Sequence, residues 1–292
     1  MLCISLNPDI LSYILLKDDA ENVVEDTGIL PIPFILDRTF FSTNDAVRPL
    51  SDLFNALKKK FKHPQTDVCL SLCSNLFSYT FSEEETPVWV DEIRYGSDYA
   101  SSLMRRNYKI HTDNFTIWYD RAILNKIKEA AHYEGIQLAK ITPGILNAYN
   151  TVHSIYATDH YNHYSILKWD KKYSEILLLK NECIIGYAGF QKVHDSILLL
   201  NKSGIFDKDL LPMLNPDSFN EKVYDFTGPI FHYATQETDP DPLKTFKSYG
   251  FCEIINPFTG LEVMGPEQEE ISGISETILS MWTESAGFIN RS

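Results

Sequence analysis

Two stretches of this chain, about 160 residues apart, carry the same hydrophobic rhythm. The first begins LCISLNPDILSYILLKD at Leu2 and continues through NVVEDTGILPIPF. It reads as strand, short turn, strand, then a third strand with a proline-rich exit. The second, Tyr164 to Phe190, is YSILKWDKKYSEILLLKNECIIGYAGF. It holds an apolar run, the knot KWDKK, an apolar run, the turn KNE and a third apolar run. Short apolar runs bounded by polar turn residues are the signature of antiparallel strands joined by tight connections. The chain therefore contains one β-meander twice, duplicated in pattern and not in letters. A meander of this shape in mid-chain is usually part of a nucleotide-binding fold, with a small, glycine-rich first turn. Here that turn carries Lys168, Trp169, Asp170, Lys171 and Lys172.

Between the copies, DAVRPLSDLFNALKKKF (Asp45 to Phe61) places Val47, Leu50, Leu53, Phe54 and Leu57 on one helical face. DVCLSLCSNLFSYTF is strand material, and the acidic segment Ser82 to Ser102 reads as a loop with a short helix. NFTIWYD is a strand. DRAILNKIKEAAHYEG is a helix with Asp120 at its N-cap and Gly135 just past its end. IQLAKIT is a strand, and PGILNAYNTVHSIYA a helix with Pro143 in its first turn. After the second meander, VHDSILLLNKSG reads as a short helix and KDLLPMLNPDSFNEK as loop-like. VYDFTGPIFHYA is a strand with a turn at Thr227-Gly228. PLKTFKSYGFCEIINPF is helix, glycine stop and strand. ISGISETILSMWTESAGFI is a closing helix. Its stripe of Ile274, Ile278, Met281 and Trp282 has no Lys or Arg beside it, which favours core packing over anchorage to an anionic membrane.

Composition narrows the partners. At 292 residues the chain can bury one large core or two modest lobes. A formal net charge of −14 argues against nucleic acid and anionic lipid, which need a cationic footprint. Lys58, Lys59, Lys60 and Lys62 cluster at a helix end, where cations suit the dipole. The five cysteines, Cys3, Cys69, Cys73, Cys183 and Cys252, form an odd set that suggests reduced thiols. No leader-like N-terminus and no apolar run of membrane-spanning length is visible. His153, His160 and His163 near Asp159 read as a polar connector, because no further metal ligand adjoins them. Walker, dinucleotide and hydrolase-elbow motifs are absent from the sequence.

The order of elements resembles the actin-like ATPase superfamily, and more narrowly the PilM-type proteins of type IV pilus assembly, with the cell-division protein FtsA as a cousin. ILPIPF plus DAVRPLSDLFNALKKKF is similar to the family's proline-rich exit and helix. TIWYDRAILNKIKEAAHYEGIQLAKITPGILNAYN is similar to the helix, glycine, strand and helix that lead to the second phosphate loop. FTGPIF and YGFCEIINPF are similar to the glycine turn, helix, strand and "NPF". The resemblance implies an α/β, actin-like (ribonuclease H-like, duplicated) two-lobe fold. An α/β subdomain would be inserted in the first lobe, and the second lobe would be reduced. The expected divisions are residues 1–76 (meander and helix), 77–138 (inserted subdomain), 139–160 (connecting helix), 161–270 (second lobe) and 271–292 (terminal helix returning to the first lobe).

The departures from that family bear on function. Its phosphate loops are D-x-G followed by small residues, with the carboxylate ordering Mg²⁺ through water. The first loop here is Ser5, Leu6, Asn7, Pro8, Asp9: the carboxylate is gone, and Pro8 lacks a backbone N–H. The second is the lysine-rich knot, read as a solvated hairpin tip. Of the paired glycines at the adenosine turn only Gly228 remains, and Gly189 to Gly228 is too short for the family's adenosine-binding subdomain. Ser5, Asn7, Lys168, Asp170 and Gly228 are thus vestigial phosphate-loop positions. The expectation is a bacterial pseudo-ATPase with no cofactor and no metal, acting as a scaffold that docks the cytoplasmic tail of an inner-membrane assembly protein. By resemblance that tail is a PilN-type peptide in a groove beside the inserted subdomain. The candidate docking residues are Phe77, Tyr79, Tyr95, Arg105, Arg106, Phe115, Ile117 and Tyr119, on a surface made of the segment Phe77 to Arg106 plus the strand Phe115 to Tyr119, where an exposed strand edge would accept the peptide. Two alternatives stay open at this point. One is a divergent ATPase that binds ATP and Mg²⁺ through Lys168, Lys171, Lys172 and Asp170 or Asp9. The other is self-association into filaments or homo-oligomers. The expected location is the cytoplasm, peripheral to the inner membrane through the partner.

Overall fold

The computed structural model describes residues 1–17, 20, 22–61, 67–81, 103–110, 113–171, 173–193, 196–204, 228–236, 252–264 and 274–289. The first meander is β1 (Leu2–Leu6), β2 (Ile10–Leu16) and β3 (Val23–Pro31), paired antiparallel. On its other side β1 takes β4 (Val68–Leu72) in parallel, and β4 takes β8 (Leu138–Pro143) in parallel. The second meander is β9 (His163–Trp169), β10 (Tyr173–Lys180) and β11 (Cys183–Val193). There β9 takes β13 (Ile230–Tyr233) in parallel, and β13 takes β14 (Cys252–Ile254). Each half is thus a three-strand meander whose first strand starts a parallel run of two more, the same order in both. The second meander's KNE turn has Asn181 at φ 49° and Glu182 at φ 65°. Positive φ at both central residues is what a two-residue hairpin with strand-matched twist requires.

β1 is buried on both faces, as a central strand must be. Leu2, Ile4 and Leu6 enter the main core, where side chains from both sheets meet, including Tyr164, Leu177, Phe231 and Tyr233. Cys3 points the other way, into a smaller cluster with Phe258, Leu279, Met281 and Trp282. The terminal segment therefore covers the outer face of the first sheet. β15 (Glu262–Val263) reinforces that return by pairing with β3.

The helices form where capping and periodicity place them. α1 (Arg38–Ser42) starts at Asp37, whose side chain accepts from Phe40 N at 2.8 Å. α2 (Val47–Lys60) buries Leu50, Leu53, Phe54 and Leu57 and ends on Lys58, Lys59 and Lys60. α3 (Arg121–Tyr133) has Asp120 accepting from Ala122 N at 2.7 Å, and Gly135 beyond its end at φ 68°. α4 (Gly144–Ile155) follows β8 directly, with Pro143 as the last residue before it. A separate three-stranded sheet, β5 (Phe77–Thr80), β7 (Asp113–Asp120) and β6 (Leu103–Ile110) in that spatial order, lies between β4 and α3 in sequence. All five cysteines are free.

Three sequence expectations change. VHDSILLLNKSG is not a helix: Ser196–Gly204 is β12, antiparallel to β11. A short apolar run such as ILLL suits either element, and the open edge of β11 supplies the ladder that decides. The closing segment is not one helix either. It is α5 (Glu276–Leu279), a 3₁₀ turn (Ser280–Trp282) and α6 (Thr283–Ala286). The break accommodates anchoring hydrogen bonds, Trp282 Nε1 to Tyr13 O at 3.1 Å and Thr151 Oγ1 to Thr283 O at 2.8 Å. Third, β7 cannot offer an edge, because it is the central strand of its sheet, paired with β5 and β6. The expectations for Ser82 to Ser102, for 208–222 and for the helix at 242–250 lie outside the described residues. Among the described residues no helix is long and apolar enough to cross a membrane.

Candidate functional site: the cleft between the two meanders

The first turns of the two meanders lie close together, and Asn7, Lys168, Trp169 and Asp170 are buried there while Asp9 and Lys171 are exposed. Lys168, expected at a solvated tip, has 0% relative exposure, and Asp170 has 4%. The Lys168 ammonium reaches Asn7 Oδ1 at 2.6 Å and Glu284 Oε1 at 2.9 Å. Asp170 and Glu175 carboxylate oxygens lie 3.8 Å from the same nitrogen.

Glu284 comes from α6, on the terminal segment. Its Oε2 accepts from Ser5 Oγ at 2.6 Å and Asn7 Nδ2 at 3.1 Å, and its Oε1 also accepts from Tyr233 OH at 3.0 Å. Asn7 Nδ2 further donates to Ser5 Oγ at 2.8 Å. Asp170 is held by Thr235, through the backbone N–H at 2.7 Å and the hydroxyl at 2.6 Å. Glu175 Oε2 accepts from Tyr187 OH at 3.0 Å. At the exposed mouth, Gln236 Nε2 donates to Asp9 Oδ1. One cation and three carboxylates therefore tie β1, the terminal segment and the second sheet together.

Electrostatics follow from burial and charge. Burial alone would push the Lys168 pKa down, but Glu284, Asp170 and Glu175 outweigh it and hold the ammonium above the usual lysine value. Burial raises Asp170, with Lys168 and the Thr235 hydrogen bonds opposing. Burial pushes Glu175 up to about 7, again with Lys168 pulling the other way. Burial, reinforced by Glu284, raises Tyr233 well above the ordinary phenol, so it remains a donor.

Backbone geometry shapes the same place. A Cβ added at Gly144 would lie 2.5 Å from Glu284 Cδ, so the first turn of α4 presses directly on that carboxylate. An anion at a helix N-terminus is also favoured by the dipole. Gly144→Ala should cost about 1.5 kcal/mol, because four hydrogen bonds prevent the carboxylate from moving aside. Urea unfolding of the variant checks this, and a cost under about 0.5 kcal/mol would show a carboxylate free to shift.

Of the five positions read from the sequence as vestigial phosphate-loop residues, Ser5, Asn7, Lys168 and Asp170 meet in this cleft. Gly228 does not join them. It sits before β13 at φ 61°, where a Cβ would meet His163 O at 2.2 Å, so its role is close backbone packing against the start of β9. Glu284, Glu175, Tyr233 and Thr235 had no local sequence signal. Glu284 is 279 residues from Ser5, and TESAG matches no motif.

The docking candidates divide differently. Phe77, Ile117 and Tyr119 line a cavity of about 370 Å³ together with Leu124, Lys128 and the length of β8. Tyr79 is buried and turned away, its ring 4.2 Å from that of Tyr187 in the second sheet. Arg105 and Arg106 are on β6 and Phe115 on β7, while Tyr95 lies outside the described residues. The edge of the cavity belongs to β8, which ends the first sheet and pairs with no described strand beyond β4. His153 of the polar connector pairs with Glu182 at 3.0 Å.

No family model matches the chain, and no curated protein matches it. Solved structures do. The "PilM-PilN type IV pilus biogenesis complex" superposes with a TM-score of 0.64 over 98% of this chain and 96% of that one, at 10% identity. The cytoplasmic domain of EpsL, an inner membrane component of the type II secretion system of Vibrio cholerae, gives a TM-score of 0.45 at 10% identity, covering 99% of this chain and 95% of that chain. A Bacteroides thetaiotaomicron protein with an actin-like ATPase fold and unknown function gives 0.44 at 11% identity, covering 94% and 95%. The chain thus has the duplicated, actin-like α/β fold.

Proposed function

We propose that this protein is a non-catalytic, actin-fold adaptor that works with its cleft closed by its own side chains and docks a peptide tail of a membrane-assembly protein. The observation that carries the reading is the Lys168–Glu284 ion pair, buried between the meander tips and reaching Ser5 and Asn7. A triphosphate needs that volume, glycine-permitted backbone approach and a Mg²⁺-ordering carboxylate. Here Pro8 and a lysine side chain occupy those positions.

Docking is supported by the cavity beside β8. It combines apolar lining from Ile117, Leu124 and Ile141 with a strand edge of β8 that pairs with no other described strand. That pairing of features suits an extended peptide, which gains main-chain hydrogen bonds from the edge and side-chain specificity from the cavity. The similar fold named for PilM and PilN makes the short cytoplasmic tail of an inner-membrane pilus or secretion component the partner to try first. The protein would then act in the cytoplasm, held at the membrane by that tail.

Thermal melts test both halves. Millimolar Mg-ATP should leave Tm unchanged, and a rise of several degrees would instead establish an ATP-binding protein. Synthetic tail peptides should bind in the micromolar range, and Tyr119→Ala, measured at a temperature where it is fully folded, should weaken binding about tenfold. Equal binding by that variant would place docking elsewhere.

A further inference from the structure

The Glu284 carboxylate has the surroundings of a bound ligand. Four donors converge on it: Ser5 Oγ, Asn7 Nδ2, the Lys168 ammonium and Tyr233 OH, at 2.6, 3.1, 2.9 and 3.0 Å. All four donor residues have 1% relative exposure or less, and Glu284 has 0%. They come from β1 and its turn, β9 and β13, whereas the carboxylate arrives on a separate element. Gly144 leaves the room that the carboxylate fills, at the start of a twelve-residue helix. A pocket assembled by both lobes around one oxyanion is an anion site by its chemistry.

We propose that Ser5, Asn7, Lys168, Tyr233 and Gly144 form a carboxylate-binding site whose resident anion is the side chain of Glu284, and that the site accepts a free small carboxylate when Glu284 is withdrawn. The terminal segment is then a tethered ligand. Its occupancy clasps the two sheets, and its effective concentration excludes competing anions while it is docked. This goes beyond the closed-cleft reading and rests on it only in placing the site between the meander tips.

The test is chemical rescue. Glu284→Ala removes a group the size of acetate from the pocket. Its Tm should fall, and about 100 mM sodium acetate at pH 7.5 should raise it by about 3 °C over sodium chloride of equal ionic strength. Wild type should show no such difference, nor should Glu284→Ala combined with Lys168→Met. Equal response of Glu284→Ala to acetate and chloride overturns the proposal, as does an acetate response in wild type. Phosphate rescuing better than acetate would overturn the carboxylate assignment in favour of a tetrahedral oxyanion. If Glu284→Ala is unfolded as purified, its recovery from urea is measured in both salts: higher yield in acetate supports the site, and equal yields overturn it. A nucleotide effect on wild type, which would sink the adaptor reading, is read in a separate melt and does not enter this comparison.

Discussion

Lys168→Met is expected to cost about 4 kcal/mol of folding free energy, because it strands buried carboxylates without their cation. Methionine keeps most of the side-chain volume, so the loss is electrostatic and not a cavity. The ammonium faces Glu284 at 2.9 Å, and Asp170 and Glu175 at 3.8 Å, all within the protein interior. For a chain of this size the melting temperature should fall by roughly 10 °C. Calorimetry and urea unfolding give the number. A loss below about 1 kcal/mol would mean that the knot is solvated after all. Adding Glu284→Gln should restore part of the loss, since it removes one of the stranded charges, and the double-mutant cycle isolates the pair.

Stability should also fall as pH rises from about 5 to 8, and Glu175 should account for much of that slope. Its folded pKa, about 7, lies above the ordinary value of 4.5. The folded state therefore binds a proton that the unfolded state has already released in this window. Whatever Glu175 contributes is fully present below about 4.5 and is lost as pH passes through 7. Between those limits the shift corresponds to an upper bound of about 3 kcal/mol. Lys168, Glu284 and Tyr187 face the same carboxyl and set how much of that bound is realised. Glu175→Gln cannot ionise, so it should exceed wild type in stability at pH 8 and match it near pH 5. Urea midpoints across pH, at constant ionic strength, check the slope. An unchanged slope in the variant would assign it to other groups.

Both predictions concern a cluster that was only half visible beforehand. Ser5, Asn7, Lys168 and Asp170 stood out because they stand where the family resembled has its D-x-G phosphate loops. Their burial was not legible. A charged knot at a hairpin tip is ordinarily wet, and nothing local indicates that Lys168 meets Asn7 and Glu284 in the interior. Glu284 was invisible for a different reason: hydrogen bonds spanning 277 and 279 residues leave no spacing to read. The position of β7 within its sheet was hidden in the same way. Phe115 to Tyr119 looks like a strand from its letters, but whether a strand is central or at an edge depends on its neighbours.

The amino-acid order alone determined the repeated meander, the three capped or amphipathic helices from Val47 to Ile155 and the absence of a D-x-G motif at the first turn of either meander. Those features are local: period-two and period-3.6 burial, a carboxylate cap, a glycine beyond a helix end. Tertiary structure decided that ILLL joins a ladder and that the terminal helix breaks into two. It also decided that a mid-chain lysine and a glutamate 116 residues further on meet between the meanders. The physical reason is that strand pairing and the neutralisation of buried charge are settled by partners in space, which chain order does not specify.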